Sequence, residues 1–347
     1  MRKARKWLAA VLAAAAMTIP LAGCTAGGDG SSSGSATTTS GTKAPESSSE
    51  KAAVRVAAIK GPTGVGMVNL MSRNEEKKTT NDYTFTIATS PDEVVGKFST
   101  GDVDIASVPT NLAATLNQKT SGNVRMLAVN TKGVLYILEN GNSISSVADL
   151  KGKTIYSTGE GSNPEYILRH ILSKNGVDPD KDVTLKFVTE NEELVTLLAT
   201  GEAEIAMVPE PNVTAVMAKN TDIRIALSMT DAWDALDEGS SLLMGCVIAR
   251  ADYVEENPEA VKAFLSEYEA SIQAVTKDVD AAAALCEQYG VIPKAAVAKK
   301  AIPNCNLTYL AGKEMKDSIG GYFQVLFDAE PKSIGGKLPD DNFYYLG

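Results

Sequence analysis

An α/β fold of two similar lobes with mostly parallel sheets is what this sequence predicts, on three observations. First, one segment occurs twice: Ser99-Thr-Gly-Asp-Val-Asp-Ile-Ala-Ser-Val-Pro109 returns one hundred positions later as Ala199-Thr-Gly-Glu-Ala-Glu-Ile-Ala-Met-Val-Pro209. Second, β-branched runs alternate with helical patterns along most of the chain, the signature of sandwiched layers around parallel strands. Third, 347 residues with 44% hydrophobic content suffice for two cores.

The elements follow in order. Val54–Ile59 reads as a strand, broken by Lys60-Gly-Pro-Thr-Gly-Val-Gly66, with a helix over Met67–Arg73. Tyr83–Ile87 alternates as a strand. Pro91–Phe98 predicts a helix with Ser90 as N-cap and Glu93 as its capping-box partner. Ile105–Val108 is a short buried strand, Asn111–Gln118 a helix, and Val124–Val129 and Val134–Leu138 are two further strands. The second unit starts at Ser146-Val-Ala-Asp-Leu-Lys-Gly-Lys-Thr-Ile-Tyr156, and Thr158-Gly-Glu-Gly-Ser-Asn-Pro164 leads into a helix over Glu165–Asn175. Val183–Val188, Glu192–Thr200 and Ile205–Val208 then repeat the first unit's order. Asn212–Lys219 (helix) and Ile223–Leu227 (strand) complete it. Leu242–Ala249 reads as a strand returning to the first lobe, followed by helices over Pro258–Val275, Asp280–Tyr289 and Gly312–Phe327. The lobes so defined are 52–142 plus 240–347, and 143–239.

The N-terminus is of another kind. Arg2, Lys3, Arg5 and Lys6 precede an apolar run from Trp7 to Ile19, then Leu21-Ala22-Gly23-Cys24. A basic start, an apolar stretch too short to span a bilayer and small residues before a cut site mark a secretory signal over 1–23. Residues 24–51 are mostly Gly, Ser, Thr and Ala and predict a flexible tether reaching about 25–30 Å. The net charge of −10, more acidic still without the basic leader, argues against a nucleic-acid partner. Beyond Cys24 there are Cys246, Cys286 and Cys305. Spacing leaves three possible disulfide pairs open, as well as three reduced, buried thiols.

Leu21-Ala-Gly-Cys24 resembles a bacterial lipobox. With Gly61-Pro-Thr-Gly64, the Gly101-Asp-Val-Asp-Ile-Ala segment, Asp149-Leu-Lys-Gly-Lys-Thr-Ile155 and Gly159-Glu-Gly-Ser162, the chain from Val54 onward resembles the substrate-binding lipoproteins of ABC importers. Within the type II periplasmic binding protein fold it is similar to the SsuA/THI5-like (NMT1-like) group, whose members bind sulfonates, nitrate and thiamine precursors. The resemblance implies an extracytoplasmic monomer, anchored to the cell membrane by lipid on Cys24. Its lobes would close on a small solute by rotation at two crossovers, expected near Asn140–Ser146 and Asp237–Ser241, and deliver it to an ABC permease and its ATPase. It implies no catalytic residue, no metal and no cofactor.

Ligands of open α/β sheets sit beyond the carboxyl ends of the strands. That rule selects Gly61, Pro62, Thr63 and Gly64, then Thr110 and Asn111, in the first lobe. In the second it selects Gly159, Glu160, Ser162 and Asn163, together with Glu210. Two of these loops lead into helices, whose free N–H groups favour polar oxygens or anions. Glu160 and Glu210 would suit a cationic solute if they faced it; facing water they cap helices. Trp233 and Tyr156 could stack on an aromatic solute or pack internally. Enzymatic readings find little: the one histidine, His170, is expected on the wet face of its helix, and no metal cluster or nucleophile–base set is present in the sequence. An enzyme resembling those of the menaquinone pathway, which share the two-lobe fold, and a sensory partner of a membrane receptor are the alternatives.

Overall fold

The structure is a computed structural model that describes residues 51–347; the signal segment, Cys24 and nearly all of the tether lie outside the described residues. Eleven strands are present among them. They are β1 (Ala53–Ile59), β2 (Asp82–Ala88), β3 (Ile105–Pro109), β4 (Val124–Lys132), β5 (Leu135–Asn140), β6 (Thr154–Ser157), β7 (Thr184–Phe187), β8 (Ile205–Pro209), β9 (Ile223–Ser228), β10 (Leu243–Arg250) and β11 (Leu307–Ala311). They form two sheets, ordered β2-β1-β3-β10-β4-β11 and β7-β6-β8-β5-β9.

Position by position, β2-β1-β3 corresponds to β7-β6-β8, and β4 to β9. Between them, each sheet takes in one strand from the other part of the chain: β10 in the first, β5 in the second. Both inserted strands run antiparallel to their neighbours. The sheets are therefore mixed, not mostly parallel as the alternation of strands and helices suggested. Only β2-β1-β3 and β7-β6-β8 are parallel throughout.

The exchange also corrects a boundary. The sequence places residues 134–142 in the first lobe, but β5 hydrogen-bonds to β8 and β9. Its first five residues are all buried, and such a run carries no alternation to show which sheet it joins. The first crossover is thus Gly133–Val134, not Asn140–Ser146. The close approach there needs a glycine: a Cβ on Gly133 would lie 2.4 Å from Thr230 Oγ1 and 2.5 Å from Leu242 Cδ2. The second crossover runs between the Met229–Asp234 helix and β10, and includes Asp237–Ser241.

Local signals act as their chemistry requires. Ser90 Oγ accepts from Glu93 N at 3.4 Å, while the Glu93 carboxylate reaches past it to Thr89 N at 3.1 Å. Gly101 and Gly201, twin positions of the duplication, both sit at positive φ (78° and 81°), where a helix stops without a Cβ clash. Cys246, Cys286 and Cys305 are free and buried. Burial raises all three thiols well above their usual range, so each behaves as a small core residue.

Candidate functional site

The loop after β1 is built tightly. Gly61 (φ 99°) donates its N–H to Val291 O at 3.0 Å, and a Cβ on Gly64 would meet Ile59 O at 2.7 Å. Ser107 Oγ, from β3, donates to Thr63 O at 2.6 Å and accepts from Asn130 Nδ2 at 2.8 Å. Asn130 also donates to Tyr268 OH at 2.8 Å. This buried network fixes the loop from below and leaves Pro62 and Thr63 half-buried at its tip. Opposite stands the second lobe: a Cβ on Gly61 would lie 4.0 Å from Pro211 Cδ. The turns after β1 and β8 therefore face each other.

The turns after β3 and β6 meet as well. The Thr110–Lys119 helix has Pro109 at its N-cap, and the Asn163–Lys174 helix has Ser162; neither end carries a side-chain cap. Ser162 Oγ instead donates to Gly159 O at 2.6 Å, closing its own turn, while Glu160 is exposed. Asn163 is buried, and its Nδ2 donates across the lobes to Tyr322 OH at 3.3 Å. That phenol also lies beside the Thr110 hydroxyl. Each lobe thus contributes one uncapped helix N-terminus, with partial positive charge and free N–H groups, to one end of the interlobe line.

Three predicted contacts have other work. Thr110 is fully buried and its Oγ1 donates to Leu243 O at 2.8 Å, tying the helix start to β10. Trp233 is 1% exposed, with its indole N–H on Ser240 Oγ at 3.2 Å and its ring against His170 and Tyr322. It packs the second crossover and offers no free face for stacking. Glu210 is 3% exposed. Its Oε1 accepts from Asn304 Nδ2 at 2.9 Å and Thr214 Oγ1 at 3.1 Å, and its Oε2 from Thr214 N at 3.2 Å. Burial raises its pKa, opposed by those donors, and no ion pair reaches it among the described residues. Glu210 neither faces water nor stands free for a cationic solute; it caps its helix and holds the opposite lobe. His170 is not on the wet face either. Its ring packs at a tilt against Trp233, with ring centroids 4.8 Å apart, and meets Glu238 Oε2 at 3.1 Å. Tyr156 lies under Lys186, whose Nζ is 5.2 Å from the ring centroid.

Gly61, Pro62, Thr63 and Gly64, Asn111, and Gly159, Glu160 and Ser162 remain as the expected contacts to which the structure gives no role in bracing one lobe against the other. Asn111 is half-buried and makes no side-chain hydrogen bond among the described residues. Asn304 and Tyr322 were not singled out from the sequence, because they lie 94 and 159 positions from the partners they hold.

Among solved structures, an ABC transporter from Parabacteroides distasonis superposes with a TM-score of 0.71 at 21% identity, over 85% of this chain and 99% of that one. The periplasmic aliphatic sulphonate binding protein SsuA from Escherichia coli gives 0.65 at 17% identity, over 83% and 92%. A putative sulfonate-binding SsuA from Methylobacillus flagellatus gives 0.63 at 18%, over 85% and 92%. At these identities the likeness shows the fold, the two-lobe fold of periplasmic binding proteins. A search of curated protein sequences finds no match. Residues 100–282, more than half of the chain, match the family described as NMT1/THI5 like. The chain belongs to the NMT1/THI5-like family.

Proposed function

We propose that this protein is the solute-binding component of an ABC importer, lipid-anchored outside the cell through Cys24, and that it captures a small oxyanion-bearing solute of the sulfonate class between its lobes. One observation carries the reading. The turns at the carboxyl ends of β1 and β8 face each other, those of β3 and β6 meet at Tyr322, and each lobe contributes an uncapped helix N-terminus there. Such ends receive oxygens of an anion without needing a cationic side chain. The fold match to sulfonate binders supports the solute class.

The cycle needs no bond chemistry. Amide and hydroxyl groups of Thr63, Asn111 and Ser162 orient the solute, closure about Gly133–Val134 and the second crossover excludes water, and the closed form is delivered to a permease. A related class is favoured by Asn163, whose Oδ1 is buried without a hydrogen-bond donor among the described residues. A solute presenting an N–H there, such as an aminoalkanesulfonate or an aminopyrimidine, would supply it.

Thermal-shift screening of the protein against alkanesulfonates, taurine, nitrate and aminopyrimidines tests the reading. A true solute raises Tm with the logarithm of its concentration; a flat response to the whole panel contradicts it. Labelling cells with a fatty-acid precursor tests the anchor: Cys24→Ala should lose the label, and equal labelling of both chains overturns it.

A further inference from the structure

Two polar clasps between the lobes, among the described residues, are each made from a cleft loop of lobe two and a residue of lobe one outside the predicted site. At the first crossover Asn304 Nδ2 donates to Glu210, and Tyr136 OH of β5 donates back to Asn304 O at 2.8 Å. Asn306 reinforces it, donating to Gly133 O at 2.6 Å and to Tyr136 OH at 3.1 Å. At the second crossover Tyr322 OH accepts from Asn163, and the ring packs edge-on against Trp233 with centroids 5.7 Å apart. The neighbouring Gly321 brings that helix onto the crossover itself, since a Cβ there would lie 2.4 Å from Ser240 Cβ. Neither clasp is an ion pair. Each clasp turns on one amide or phenol group within a wider interlobe contact that includes a shared apolar cluster, a contribution large enough to bias an equilibrium and too small to lock it.

We propose that Asn304 and Tyr322 are positioning residues for solute capture: from lobe one they latch the Glu210 and Asn163 loops of lobe two, setting how much of the solute-free protein already stands closed. The inference rests on the solute-binding reading for its purpose, but its geometry does not depend on any solute. A protein closed part of the time binds more tightly than one that must close on arrival, because affinity scales with the fraction that is competent. Tyr322 also fixes the Asn163 amide, so the same residue decides which amide atom is presented at that end of the cleft.

The test reads the interlobe distance without solute. Asp92 and Glu192 are exposed twin positions in the first turns of the helices that follow β2 and β7, and the three thiols among the described residues are buried. In a Cys24→Ala background, spin labels on Asp92→Cys and Glu192→Cys therefore report the distance between the lobes in double electron–electron resonance on dialysed protein. Tyr322→Phe removes one hydroxyl and keeps the ring packing; Asn304→Ala removes one half-buried amide. Each is expected to lower the closed-to-open ratio about fivefold, the ratio a net hydrogen bond commands, and the two together about 25-fold if the latches act independently. Distance distributions that superimpose on the unsubstituted chain's for both variants overturn the proposal. Should no panel solute bind, the function reading fails while this measurement still decides the latches.

Discussion

The turns after β3 and β8 descend from the same repeated words and do opposite things. Both leave a buried five-residue strand through a proline, Pro109 or Pro209, and both enter a helix. In the first lobe Thr110 is tied back to β10, the helix end has no side-chain cap, and Asn111 is left half-buried beside it. In the second lobe Glu210 stands where Thr110 stands. Its carboxylate caps its own helix through Thr214 and reaches Asn304 of the other lobe. One copy leaves its helix end and Asn111 open, and the other is a clasp. Duplication supplied two equivalent helix ends, and a single acidic side chain converted one of them.

The twin acidic positions one turn earlier differ as sharply, and they offer the largest way to break the comparison. Asp104 is buried and accepts from Arg55 N and Nε, both at 2.9 Å, with Arg250 also near. Glu204 is exposed. Asp104→Asn should cost about 2–3 kcal/mol in urea unfolding, below the full buried-pair figure because the Arg55 side chain is 47% exposed. Glu204→Gln should stay within about 0.5 kcal/mol. Equal costs would mean that the repeat, and not its surroundings, decides the role. Next in size, Glu210→Ala strands Asn304 and Thr214 and should cost about 1–3 kcal/mol, whereas Asn111→Ala should leave the Tm of the empty protein unchanged and weaken solute binding about tenfold.

The smallest effect is a slope. Burial raises the Glu210 pKa from 4.5 in the folded protein, so folding favours its protonated form. That contribution is complete below pH 4.5 and is lost as pH rises through the folded value. Any Tm advantage of Glu210→Gln over the unsubstituted chain should therefore be widest at neutral pH and shrink as pH falls toward 4.5. A difference that is constant with pH would show Glu210 to be unperturbed and the clasp to be exposed.

Much of this was legible in the residues. The duplicated words led to matching sheet positions and the glycine stops at Gly101 and Gly201, and a separate apolar run marked the returning strand β10. The sheet membership of β5 was not, because a run buried along nearly its whole length looks the same in either lobe. The roles of Thr110, Trp233 and Glu210 were hidden for a related reason. Each has the right chemistry for a ligand contact, and only burial against Leu243, Tyr322 and Asn304 shows that its polar atoms are already engaged. Helical periodicity put His170 in water, but a fold that lays Trp233 under it overrides periodicity.

Hydrogen–deuterium exchange on the protein, with and without the alkanesulfonate that raises Tm most, tests most directly whether a solute is held between both lobes. The account predicts simultaneous protection of peptides covering 61–64 and 110–112 in one lobe and 159–165 in the other. Protection confined to one lobe, or falling away from these turns, would contradict it.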